Sequence, residues 1–168
     1  MTVDHEREQL ISILASQRDI FRITLRGIEE DDARERSTVS ELTLGGLLHH
    51  VINVERHWTT VLVECDPNSE FDVSGMDSEY KLGPDETVEG LLAEWDVLAE
   101  QTAKLIRELP NLDDSIPTPT APWAPEREWL TARYIILHIL REIAHHSGHA
   151  DIIRESFDGA STTHQRAV

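Results

Sequence analysis

Four long stretches of this sequence repeat their apolar residues at helical spacing, and no stretch alternates as a half-buried strand would. The first runs over about residues 3–28, with Leu10, Ile13, Leu14, Phe21 and Leu25 in register. The second runs from Ser40 or Thr43, both plausible N-caps, to Glu64, with Leu47, Leu48, Val51, Val54, Trp58 and Leu62 on one face. The third covers about residues 87–109, and Pro110 stops it. Thr102 is the one polar residue in its stripe. The fourth covers about residues 131–157 and ends at Asp158-Gly159, a C-terminal signal. Four amphipathic helices in one small chain can bury their stripes only against one another. The expected fold is therefore all-α, a four-helix bundle. The domain is expected over residues 1–160, with residues 161–168 a flexible tail.

The connectors are unequal. Residues 29–39 are short and polar, residues 65–86 are long, and residues 110–128 carry five of the seven prolines and read as a loop. The 65–86 segment is long enough to cross over the bundle end.

The chain has 168 residues and a formal charge of −17, with its acids spread along its length. Such a surface repels phosphate backbones and anionic lipid, which sets nucleic acid and membranes aside as partners. No apolar run reaches a membrane span, and the opening MTVDHEREQL is too charged for a signal peptide. The single cysteine, Cys65, allows no internal disulfide and fits a reducing cytoplasm, the expected location. With no CxxC or nearby histidine it reads as a small, buried or half-buried residue.

The chemistry is concentrated in REIAHHSGHADIIRE, residues 141–155. This stretch holds His145, His146 and His149, with His138 just upstream. At 100° per residue, His146 falls inside the apolar face set by Ile135, Ile139, Ile143 and Ile153. Glu142 and His149 fall at its edge, His138 beyond them, and His145 looks outward. On the second helix the same test puts His50 on the flank of the apolar face and His49 on the opposite side. Glu55 falls on the apolar face and needs a buried partner or a water.

His50 from one helix, with Glu142 and His146 one turn apart on another, could ligate a metal. Two imidazoles and a carboxylate leave positions on an ion open, as a working site requires. His149 and His138 are the nearby candidates for a fourth ligand or a supporting partner. The facing argument alone also admits a hydrogen-bonded core histidine or a pH-sensitive patch. Trp58, Trp123 and Trp129 are candidates to line a pocket, the last two because they border the proline-rich loop. Packing alone would also account for them.

LTLGGLLHHVINVERHW (residues 42–58) followed by YIILHILREIAHHSGHADIIRE (residues 134–155) resembles the DinB-like superfamily. It is most similar to the small actinobacterial branch of unassigned function, which is related to the mycothiol-dependent maleylpyruvate isomerases. The resemblance covers the chain from the first helix to Gly159. It implies a four-helix bundle holding a divalent ion, zinc or nickel, on three side chains. One comes from the second helix and two from the last. Placed on this sequence they are His50, Glu142 and His146, with glutamate in the position that many members fill with histidine. His149 then becomes a supporting partner or a fourth ligand. The isomerases carry a further C-terminal domain, and none is expected here, which counts against isomerisation itself. The resemblance also implies a homodimer, for which Leu137 and Ile152, apolar but off the main stripes, offer support.

The expected function is thiol-dependent S-transfer to a small electrophile, with mycothiol as the thiol. A metal with open positions can bind a thiol and lower its pKa. A metal-bound water would instead support hydrolysis, and a bundle that merely binds a small molecule or a protein partner is the non-enzymatic alternative.

Overall fold

The computed structural model describes residues 3–166. Its long helices are α1 (Val3–Ile23), α3 (Leu44–Glu64), α4 (Val88–Glu108) and α5 (Ala132–Asp158), with two short ones, α2 (Glu30–Ala33) and α6 (Thr162–Gln165). A single 3₁₀ turn, Met76–Ser78, interrupts the long connector, and two three-residue strands, β1 (Ser115–Pro117) and β2 (Trp129–Thr131), pair antiparallel. No helix among the described residues is long and apolar enough to cross a membrane.

Three of the long helices start the same way. Thr43, Thr87 and Thr131 sit in extended backbone, and each hydroxyl accepts the N–H three residues on, from Gly46, Gly90 and Tyr134. Each such cap contributes about 1 kcal/mol. Thr43, not Ser40, is thus the start of α3. At the other end Gly159 closes α5 with φ at +77°. α1 stops five residues short of its apolar pattern, because Thr24, Leu25 and Arg26 turn to i→i−3 bonds with Phe21, Arg22 and Ile23. Leu25 stays buried in that tightened turn, so its periodicity is kept while the α-helix is not.

α1 and α3 each pack against both α4 and α5, so α1 faces α3 across the core and α4 faces α5. The diagonal crossings are made by residues 24–43 and 109–131. The long 65–87 segment, expected as the crossover, joins neighbours instead. Trp95 and Phe21 meet edge to face at 5.6 Å in the core, among Leu47, Leu48, Ile135 and Ile139. Glu55 is fully buried there and finds its partners across the bundle. It accepts from Arg18 Nε (3.1 Å) and Nη2 (2.5 Å), Trp95 Nε1 (2.8 Å) and Thr102 Oγ1 (2.6 Å). The polar residue in the α4 stripe is therefore part of the solution for the buried carboxylate.

The chain's less regular parts carry further short elements. The proline-rich loop contains β1 and leads into β2, its antiparallel partner, and both strands are too short to show a period in sequence. After Gly159 the short helix α6 packs back against α1. Asp151 accepts from the Thr162 backbone N–H at 2.7 Å, Ser161 and Thr162 are buried, and Arg26 Nη1 donates to the Gln165 carbonyl at 3.0 Å.

Candidate metal centre and cavity

α3 presents His50 to α5, and the 65–86 connector closes over it. Gly45 and Gly46 permit that closure. A Cβ on Gly46 would stand 2.1 Å from the Tyr80 carbonyl oxygen, and one on Gly45 would stand 2.8 Å from Leu82 Cδ2. The bare backbone of the first helical turn thus lets the connector lie directly on α3. Tyr80 is thereby stacked on His50, ring centroids 4.1 Å apart and 24° from parallel.

His50 is buried, and neither of its buried ring nitrogens has a hydrogen-bond partner. Glu79 Oε1 lies 3.1 Å from Nδ1, near enough to attract charge but not aligned as a hydrogen bond. An imidazole left this way is costly unless something supplies a partner, and an ion is one candidate. Burial lowers its pKa against the opposing pull of Glu79 and Glu142. Across the interface His146 meets His50 edge to face at 4.6 Å. Burial, followed by the neighbouring His50, His145 and His149, holds His146 down to about 4. Both rings are therefore inclined to the neutral form that ligates metals.

The third group is Glu142, whose Oε2 lies 3.7 Å from His146 Nε2. One ligand atom from each of His50, Glu142 and His146 falls within 4.8 Å of the others. A second cluster, His145, His146 and His149, meets the same spacing and shares His146. In it His149 Nδ1 lies 3.3 Å from His146 Nδ1, on the ring side away from Glu142. His145 is exposed. His138 reaches the other carboxylate oxygen: its Nδ1 is 3.6 Å from Glu142 Oε1 and accepts from Arg141 Nη2 at 2.5 Å. His49 is engaged elsewhere, with Nδ1 on Glu86 (2.8 Å) and Nε2 on Asn53 (2.7 Å).

A cavity of about 560 Å³ runs from His50 and Glu142 outward, past Trp58 and His138, to Trp123. The two irregular connectors form its outer wall and are tied to each other. The Phe71 N–H donates to the Thr120 carbonyl (2.8 Å), the Thr120 N–H donates to Ser69 (3.2 Å), and Arg127 donates to the carbonyls of Ser69 and Thr118.

A family model described as mycothiol-S-transferase matches residues 9–159. The chain belongs to the mycothiol-S-transferase family. No curated protein matches it significantly. The match takes in both helices that carry the His/Glu cluster and both connectors that wall the cavity.

In this member of the family, two of the three tryptophans expected at a pocket, Trp58 and Trp123, line the cavity. Trp129 does not: it is 57% exposed on β2, and its neighbour Leu130 lines the cavity instead. Strand residues alternate faces, so only one of the two can point inward. Cys65, expected to be at least half-buried, is an exposed free thiol. It takes the left-handed position that ends α3, with φ at +48°. Glu79, Tyr80 and Phe71 went unforeseen, since a connector without period gives no facing. The Gly45-Gly46 pair is the signal that some segment must lie close there. His57 also lines the cavity, and it stands two helical turns after His50, a spacing that marks the same face.

Proposed function

We propose that this protein is a divalent-metal-dependent S-transferase. It would join mycothiol, or a similar small thiol, to a small electrophile, with His50, Glu142 and His146 holding the ion. The observation that carries this reading is the cavity, which opens on His50 and Glu142 at its inner end and gives a second substrate a way in. A purely structural bundle has no need of a cleft that reaches such a site. Two neutral imidazoles and one carboxylate suit zinc and accommodate nickel.

A divalent ion held there supplies the positive charge that favours thiolate over thiol near neutral pH. The remaining work falls to the chain. His149, at 3.3 Å from the far nitrogen of His146, fixes that ring's tautomer and orientation. Arg141 Nη2 donates both to Glu142 Oε1 at 3.1 Å and to His138 Nδ1, and so orients the carboxylate. Glu79, on the cavity wall, is placed to take the thiol proton. The sulfur lone pair then forms the new C–S bond, and the electrophile's leaving group departs with its bonding pair.

The test combines elemental analysis of untagged, chelator-free protein with mass spectrometry of thiol conjugates. One transition-metal ion per chain and metal-dependent conjugate formation are expected. Metal without conjugate, for any thiol tried, would leave a binding role as the better account. We also propose a homodimer through the outer side of α5, where Tyr134, Leu137 and Ile152 are exposed. Light scattering that finds only monomer at every concentration would remove it.

A further inference from the structure

The wall of the cavity carries two kinds of side chain. Along one line run aromatic rings in edge-to-face contact. His138 meets Trp58 at 4.9 Å, Trp58 meets His57 at 5.3 Å, His57 meets Phe71 at 5.2 Å, and Phe71 meets Trp123 at 5.4 Å. Facing the same space are four carboxylates, Asp72, Glu79, Glu128 and Glu142, and among the described residues no lysine or arginine lines it. Three arginines that neighbour lining residues are engaged with other partners. Arg127 is fixed on the carbonyls of Ser69 and Thr118, Arg56 on Asn53 and Glu94, and Arg141 on His138 and Glu142. Burial holds His57 toward its neutral form. A divalent ion on His50, Glu142 and His146 would offset two of the four negative charges and leave the lining net negative.

From this lining we infer that the cavity selects its second substrate by charge and shape: it takes flat, apolar aromatic electrophiles that are neutral or cationic, and it turns anionic ones away. Flat rings fit because each wall ring offers an edge or a face for stacking and T-shaped contact. A cation adds attraction to the ring faces and to Asp72, Glu79 and Glu128. An anion must enter against that net negative charge in a cleft that focuses its field, on a chain of formal charge −17. The inference deepens the transferase reading and rests on it for the word substrate. The aromatic, acid-lined subsite itself stands on the lining alone.

Three naphthalene probes of matched shape separate the two. They are 2-naphthalenemethanol, the (2-naphthylmethyl)trimethylammonium ion and naphthalene-2-sulfonate, all poor metal ligands. Their dissociation constants would be measured by calorimetry on the metal-loaded protein at low salt. The neutral and cationic probes should bind, and the sulfonate should bind at least tenfold more weakly than the neutral one. Glu128→Gln should narrow that gap, and Phe71→Ala should weaken all three. Sulfonate binding as tight as the alcohol's, or no binding by any probe, overturns the inference. Rate measurements with a neutral chlorodinitrobenzene and its ring-sulfonated analogue then read the same preference in transfer. There the thiolate sulfur bonds to the aryl carbon, chloride leaves with its electron pair, and the proton passes to Glu79 and then to water. If the probes bind as expected but neither electrophile reacts with any thiol, the subsite stands and the transferase reading fails.

Discussion

Gly46→Ala and Gly148→Ala should move stability in opposite directions. Both glycines lie in long helices, so propensity alone favours alanine at each, by up to about 1 kcal/mol and by less in a first turn. At Gly148 an added Cβ meets nothing within 4 Å, and the gain should be realised. At Gly46 the Cβ lands 2.1 Å from the Tyr80 carbonyl oxygen and 2.8 Å from its carbon, where ordinary contact begins at 3.4 Å. The obstacle is backbone, so it cannot rotate aside; residues 79–81 must retreat by more than an ångström. Overpacking of this kind costs about 1–3 kcal/mol, which exceeds the propensity gain and leaves a net loss of roughly 1–2 kcal/mol. For a domain of this size Tm should fall by about 2–8 °C in Gly46→Ala and rise by about 1–4 °C in Gly148→Ala. The retreat also unstacks Tyr80 from His50 and moves Glu79, so competitive chelator titration should show ion affinity reduced about tenfold in the first variant only. A Gly46→Ala protein that melts at or above the parent temperature and holds its ion as tightly would refute the close approach of the connector to α3.

Glu55→Ala should destabilise by roughly 3–5 kcal/mol in urea unfolding, because it strands the buried Arg18 guanidinium. The double variant Arg18→Met/Glu55→Met should recover most of that loss, and a double variant as unstable as the single one would show that the pair is not the cause. His50→Ala and His146→Ala should each lose the ion in elemental analysis. His145→Ala, exposed, and His49→Ala, whose two nitrogens are bonded to Glu86 and Asn53, should keep it; equal loss from all four would sink the assignment. The visible spectrum of cobalt-substituted protein should shift when a small thiol is added near neutral pH, and an unresponsive spectrum with every thiol would count against direct thiol binding.

What was legible in the sequence is what periodicity encodes. The four long helices, the inward aim of His50 and His146, and the edge position of Glu142 all follow from a 3.6-residue repeat and survive small errors in helix ends. The need of Glu55 for a partner was legible too, but Arg18, Trp95 and Thr102 were not, since they come from two other helices whose rotation about the bundle axis no single helix specifies. The end of α1 was misplaced because Leu25 keeps its buried position in a tighter turn. Trp129 and Leu130 could not be told apart, because a three-residue strand is too short to reveal which of two neighbours faces in. Glu79, Tyr80 and Phe71 come from a connector with no period at all, and only the steric demand of Gly45 and Gly46 hinted that it returns to α3.

That division matches a division of labour in the site. The groups proposed to hold the ion project from the second turn of α3 and the middle of α5, two helices packed directly on each other and anchored by a buried core. Their spacing is set by backbone that cannot shift without disturbing Leu47, Ile139 and Ile143. The groups proposed to choose the second substrate, Phe71, Asp72, Trp123 and Glu128, sit on connectors tied mainly to each other. Substitutions there change charge and shape at the cavity mouth while leaving the helix packing untouched, so substrate choice can vary with little cost to stability. Phe71→Ala and Glu128→Gln should accordingly leave Tm within about 2 °C of the parent, consistent with surface substitutions of about 0.5 kcal/mol, while altering which naphthalene probe binds. A loss of Tm comparable to that of Gly46→Ala would mean that the outer wall is part of the fold's foundation and that the two roles are not separable.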